Sequence, residues 1–229
     1  MPNDVPEDPA LAATHTFVDF IGEVVQFTAS ALGGVKIANR LHNWGKDFGL
    51  HHQPHRNTAD HFQMLQGLVL IAAWGAFEAF FEDFCRAVLA RDHQVTDAFE
   101  AYRQLAQNNR NRKAAISFEK TLAGIDRQGP IPKGLLEELK NANQIRNIWA
   151  HNRGVVNEIF ARSAADLGYT VGDKVTMAPD QYTRYLFALG TYATIITARD
   201  MVKTGRPVPP ANALGNNPFS RDYATLFGA

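Results

Sequence analysis

Arg146, Asn147 and His151 stand close together near the end of one helical stretch, and their side chains suit phosphate chemistry. Histidine exchanges protons near neutral pH, so His151 is fitted to general acid or base work. Arginine offers a planar fork of donors, so Arg146 is fitted to the charge of a phosphorane. Asn147 can orient an imidazole or donate to a phosphate oxygen.

The stretch from Gly134 to Asn152 must position these groups. At ~100° per residue, Leu135, Leu139, Ala142, Ile145 and Trp149 share one side and pack inward. Asn143, Asn147 and His151 stack on another side at i, i+4. This polar edge stands where a bundle helix would otherwise show lysine and glutamate. Gly154 takes the place of a C-terminal cap. Ideal geometry sets Arg146 ~140° from His151, so the two converge only through the long arginine side chain or across to a second helix. Periodicity alone supports a plainer reading equally well: His151 and Asn152 satisfy terminal carbonyls and Arg146 forms an ion pair. The helix end also disfavours an anion.

Around that stretch the periodicity predicts a first helix over Leu11–Leu32, ended by Gly33-Gly34. Val35–Asn57 is the least regular part, with one short helix around Ile37–Trp44. A long helix runs from Thr58 to about Arg91, apolar nearly all round in its middle, and belongs at the centre of a bundle. Glu78 interrupts that apolar run. A buried carboxylate is costly unless paired, so Glu78 requires a partner: Arg146 or His151 in a functional reading, any arginine in a structural one. Short helices near Thr96–Gln107 and Lys113–Ile125 precede the break at Gly129-Pro130-Ile131-Pro132. Gly168–Met177 reads as a short hairpin or extended excursion, and Pro179 opens a last helix to about Thr204. The expected fold is all-α: an up-and-down helical bundle with a short extended excursion before the last helix. Residues 1–10 form an N-terminal tail, 11–204 the helical domain, and 205–229 an extended Pro- and Asn-rich C-terminal tail.

Composition narrows the partners. The 229 residues carry 23 lysines and arginines against 23 aspartates and glutamates, so no global basic field draws nucleic acid. Local contacts remain open at Arg110, Arg112 and Lys113, and at Arg153 beside the motif, although a solvated turn explains the first three as well. The single cysteine, Cys85, excludes an internal disulfide; its apolar neighbours predict a buried, inert thiol. His42, His51, His52, His55 and His61 cluster without cysteine or acidic companions, so a solvated loop is preferred to a metal site, and no cofactor is expected. No P-loop, G-x-G-x-x-G, G-x-S-x-G or H-E-x-x-H motif is present. The uncharged run from Gly67 is shorter than the ~20 residues a bilayer needs. Together with an acidic, proline-rich start, this predicts a soluble cytoplasmic protein away from membranes.

Arg146-Asn147 followed by His151 matches the R-N-x3-H form of the R-x(4–6)-H motif of the HEPN superfamily. The run IRNIWAHNRGVVNE resembles its prokaryotic branches, of the RiboL-PSP-HEPN and MAE-like kind, at several further positions. AAWGAFEAFFEDFCRAVL, Ala72 to Leu89, resembles the central helix of those branches, in which a glutamate follows an apolar run. The order of elements fits over roughly Leu11–Thr204. The resemblance implies a homodimer with facing motif helices that cleaves RNA without metal, often as a toxin or phage-defence effector with an antitoxin or other defence-system partner. It assigns Arg146, His151 and Asn147 to the chemistry, with Glu78, Asn143 and Asn152 in support. A non-catalytic relative that dimerises or binds RNA or nucleotide through the same groove remains the alternative.

Overall fold

The computed structural model describes the backbone of residues 8–47, 58–108 and 114–228, and side chains outside 32–47, 58–61 and 114–116. Among the described residues it is all-α, with eight α-helices and one isolated antiparallel bridge. They are α1 (Pro9–Asp47), α2 (Thr58–Asp92), α3 (Ala98–Gln107), α4 (Ala114–Ala123), α5 (Lys133–Asn152), α6 (Glu158–Ser163), α7 (Pro179–Lys203) and α8 (Ser220–Phe227).

Helix α2 is the centre, in contact with α1, α3, α5 and α7. Its apolar residues point in several directions because neighbours cover several of its sides. Phe77 is fully buried, with ring centroids of Phe17 at 5.6 Å, Phe118 at 5.2 Å and Tyr192 at 5.7 Å. Removing this ring should cost ~3–5 kcal/mol, because its partners come from other helices and cannot all close the gap. Thermal or urea unfolding of Phe77→Ala checks this. A melt like wild type would show that the aromatic cluster does not hold the bundle together.

The α2 stretch Phe62–Asp92 is long and apolar enough to cross a membrane by composition, and 44% of its most apolar window is buried inside the fold. Cys85 lies on the buried side, and burial pushes its thiol well above the ordinary range, as its neighbours in sequence predict.

Several boundaries differ from the sequence-based expectation. Helix α1 continues through Gly33-Gly34 to Asp47, so the glycines do not end it and the predicted break is absent. Each glycine costs only ~1 kcal/mol against alanine, and the next proline, Pro54, stands beyond the helix. Gly154 is not itself the first left-handed residue after α5; Arg153 is, at φ 54°, and Gly154 follows at φ 78°. The Gly154 N–H closes the end by donating to the Ile148 carbonyl at 3.1 Å. A glycine is required there because a Cβ would stand 2.8 Å from the Trp149 indole.

The excursion before α7 pairs with the segment that leaves α5, not with itself. Val155 bridges Lys174, and the Val156 and Val175 N–H groups donate to Asp173 and Gly154 carbonyls. Helix α6, which the periodicity does not reveal, stands inside this loop and is capped by Asn157, whose side chain accepts from the Phe160 N–H at 2.9 Å.

The C-terminal segment is not an extended tail. Phe219, Tyr223 and Phe227 recur at helical spacing, and the first two are buried. Tyr223 donates to the Pro209 carbonyl at 3.0 Å, and Asn217 donates to Thr191 of α7 at 2.8 Å. The apolar gain of those rings outweighs the proline-rich composition, and the domain extends to α8.

A buried ion cluster ties the ends of α2 and α7 together. Asp200 is 1% exposed and accepts from Arg91 at 2.6 Å, Arg127 at 2.8 Å and Arg206 at 2.6 Å. Asp8 and Asp92 share the same arginines.

Candidate functional site on the motif helix

Helix α5 buries Leu135, Leu139, Ala142, Ile145, Ile148 and Trp149 and packs against α2 and α7. Trp149 fixes the depth of that contact. A Cβ at Gly67 of α2 would stand 2.4 Å from the indole, so only glycine lets the two helices approach this closely. Lys174 lies over the outer side of the same ring at 5.6 Å.

One turn before Trp149, Arg146 reaches across to α2. Its Nη2 donates to Glu78 Oε1 at 2.9 Å and its Nη1 to Asn147 Oδ1 at 2.8 Å. The guanidinium lies 5.3 Å from the Trp74 ring centroid, and the Trp74 indole N–H donates to the same Glu78 oxygen at 2.9 Å. Glu78 therefore anchors both a guanidinium and the ring on which it stacks. The carboxylate is paired. It is not buried, however: its side chain is 50% exposed, so its partner is not needed to offset deep burial.

His151, a little further along, is exposed. Among the described residues it makes no hydrogen bond and no ion pair, so it does not serve as a cap for terminal carbonyls. Asn152 does not take that role either: its amide donates to the Val155 carbonyl, beyond the helix, and closes the turn after α5. Asn143 is half-buried, and Arg153 is exposed at the left-handed cap.

Arg146, Asn147 and Glu78 are thus brought together with Trp74. No hydrogen bond joins Arg146 or Asn147 to His151: Arg146 stands ~140° around the helix from it, and Asn147, although on the same side at i, i+4, accepts from Arg146 instead. Periodicity alone places Trp74 only in the apolar body of α2, although its i, i+4 spacing to Glu78 marks the pair.

Among the described residues no group of three or more His, Cys, Asp or Glu side chains is arranged to hold a metal ion. His51, His52 and His55 lie outside the described residues, as do Arg110, Arg112 and Lys113 and the side chains of His42 and His61. No family model, curated protein or solved structure matches this chain.

Proposed function

We propose that this chain is a HEPN-type, metal-independent endoribonuclease in which α5 carries the reacting groups and two copies complete the site. The observation that carries the reading is the contrast along α5. Arg146 is fixed from three sides by Glu78, Trp74 and Asn147, while His151, five residues on, is exposed and, among the described residues, without a partner. A held cation and a free imidazole are what a phosphoryl site needs before substrate arrives.

In the proposed step the RNA 2′-oxygen bonds to the adjacent phosphorus and the bond to the 5′-oxygen breaks. One His151 takes the 2′-OH proton, and the His151 of a second copy protonates the departing 5′-oxygen. The products are a 2′,3′-cyclic phosphate and a 5′-OH. Arg146 stabilises the phosphorane with the guanidinium N–H groups that Glu78 and Asn147 leave unused. Exposed Arg153 can add a backbone contact, as can Arg110, Arg112 and Lys113. In a cell, such an activity suits a cytoplasmic toxin or phage-defence effector restrained by a cognate partner.

An apolar stripe beside α5 supports the homodimer. On α2, Met64 and Leu68 are 48% and 55% exposed, and Ala72, Gly75 and Ala79 continue the same face next to Glu78. Sedimentation at micromolar concentration should therefore give twice the 25.4 kDa chain mass. A monomer that still cleaves RNA would contradict the shared site.

One observation favours the binding-only alternative: the Arg146 fork is already engaged by Glu78 and Asn147 within one chain. A 2′-O-methylated copy of a cleaved RNA separates the readings. Resistance of the methylated RNA supports in-line attack by the 2′-OH, and equal cutting of both refutes it. Binding of both RNAs with cleavage of neither assigns the chain to the binding class.

A further inference from the structure

A groove of ≈ 460 Å³ opens to solvent between the end of α4, the loop that follows it and the start of α5. Its apolar wall is Ala123, Ile131 and Leu136, the last 37% exposed. Its polar wall is Glu119, Lys120, Gln128 and Gly129. The volume lies within the ~300–1,000 Å³ of small-molecule sites.

The loop side of the groove is fixed by hydrogen bonds. Glu119 Oε2 accepts from the Gly129 N–H at 3.0 Å, and its Oε1 accepts from Tyr192 and Arg199 of α7, each at 2.8 Å. Arg199 also donates to the Pro130 carbonyl at 2.8 Å. The loop is therefore tied to both α4 and α7. A Cβ at Gly129 would stand 2.8 Å from Arg199 Nε, so glycine lets the loop lie this close to α7. A wall fixed beforehand spares a ligand the cost of ordering it.

The same bonds decide which charge is left for a ligand. Both Glu119 oxygens are engaged, and the charge of that carboxylate is matched by Arg199. Lys120, next in the chain, is half-buried and has no ion pair or hydrogen bond among the described residues. No second acidic side chain is among the described lining residues. The groove thus combines an apolar wall with one cation that nothing in it neutralises. A lysine stem can lie along apolar surface while its ammonium swings to meet an anion. Gln128 is exposed and without a partner among the described residues, so its amide offers a further donor at the rim.

These features select an occupant. Water gains little from the apolar wall, and a purely apolar molecule leaves Lys120 unused. A small inorganic anion uses the lysine and leaves the apolar wall wet. A molecule with an apolar body and one negative end uses both.

We propose that this groove binds a small carboxylate with an apolar tail. The tail lies on Ala123, Ile131 and Leu136, and the carboxylate accepts from the Lys120 ammonium and the Gln128 amide. None of Arg146, Asn147 and His151 lines the groove, so the site goes beyond the nuclease reading and does not depend on it.

Titration calorimetry of the full chain with decanoate, hexanoate and 1-decanol at neutral pH tests this. Decanoate should bind saturably. Hexanoate should bind at least ~10-fold more weakly, because a buried methylene is worth about four-fold in affinity. Lys120→Gln should weaken decanoate by about 10-fold and leave decanol unchanged, since only the charged hydrogen bond is lost. Leu136→Ser should weaken both, and His151→Ala should bind decanoate like wild type. No saturable binding of decanoate to wild-type protein would overturn the site. So would equal decanoate binding by Lys120→Gln or Leu136→Ser, or loss of decanol together with decanoate in Lys120→Gln.

Discussion

His151→Ala should lower RNA cleavage by ~10²–10⁴-fold and leave the melting temperature close to wild type. The two halves of this expectation come from one observation. The imidazole is exposed and, among the described residues, without a protein partner, so its loss creates no cavity and breaks no described contact. The rate loss is that of a missing proton-transfer group at both ends of the reaction. Arg146→Lys should also be poor, because an ammonium keeps the charge but neither the planar fork nor the stacking on Trp74. Kinetics and thermal melts on the same preparations check both. A His151→Ala protein that cuts RNA normally would remove this site from the chemistry.

Asp200→Ala should be among the most damaging single changes to stability, at ~3–5 kcal/mol. Asp200 is the acceptor shared by Arg91, Arg127 and Arg206, and Arg127 is itself only 2% exposed. Removing the carboxylate leaves guanidinium charge that the interior cannot solvate. The same cluster makes the fold acid-sensitive. Hydrogen bonds from Arg91 hold Asp92 below its ordinary value of 3.8; for Asp8, burial pushes the other way, but Arg91 and the Ala10 N–H still bring it lower. Carboxylates depressed in this way stabilise the fold above their ordinary value and lose that contribution as pH falls through the folded one. Urea midpoints should therefore fall on acidification below about pH 4. A midpoint for Asp200→Ala equal to wild type would show that the cluster is not an anchor.

Periodicity alone made the helical skeleton legible where a helix has one apolar side and a clear stop. Helix α5 shows its inward stripe from Leu135 to Trp149, and Pro179 marks the start of α7. Glycines misled in one place. Gly33-Gly34 reads as a terminator, yet the local cost of two glycines is small beside the packing of α1 along α2. Composition misled in another, because proline-rich residues after Gly205 hide the Phe219–Tyr223–Phe227 stripe that docks α8. Helix α6 is too short to show a period at all, and only its Asn157 cap announces it.

The candidate site was legible in part. The apolar run around Glu78 suggests a buried carboxylate with a partner; the partner is Arg146, but the carboxylate is half exposed because it stands on an open side of α2. Which of Arg146, His151 or another arginine would answer was open, because the choice depends on how α2 and α5 cross. That crossing is set by Gly67 against Trp149, a contact between residues far apart in sequence. The stacking of Arg146 on Trp74 follows from the same crossing. The ion cluster at Asp200 joins residues from the N-terminus, α2, the loop before α5 and the end of α7, and no spacing in the chain foretells it.

The most direct measurement is incubation of purified wild-type and His151→Ala protein with total RNA in EDTA, followed by analysis of the fragment ends. Wild type should cut, its fragments should carry 2′,3′-cyclic phosphate and 5′-OH ends, and His151→Ala should leave the RNA intact. Intact RNA with wild type, or equal fragmentation by both proteins, would contradict the nuclease reading.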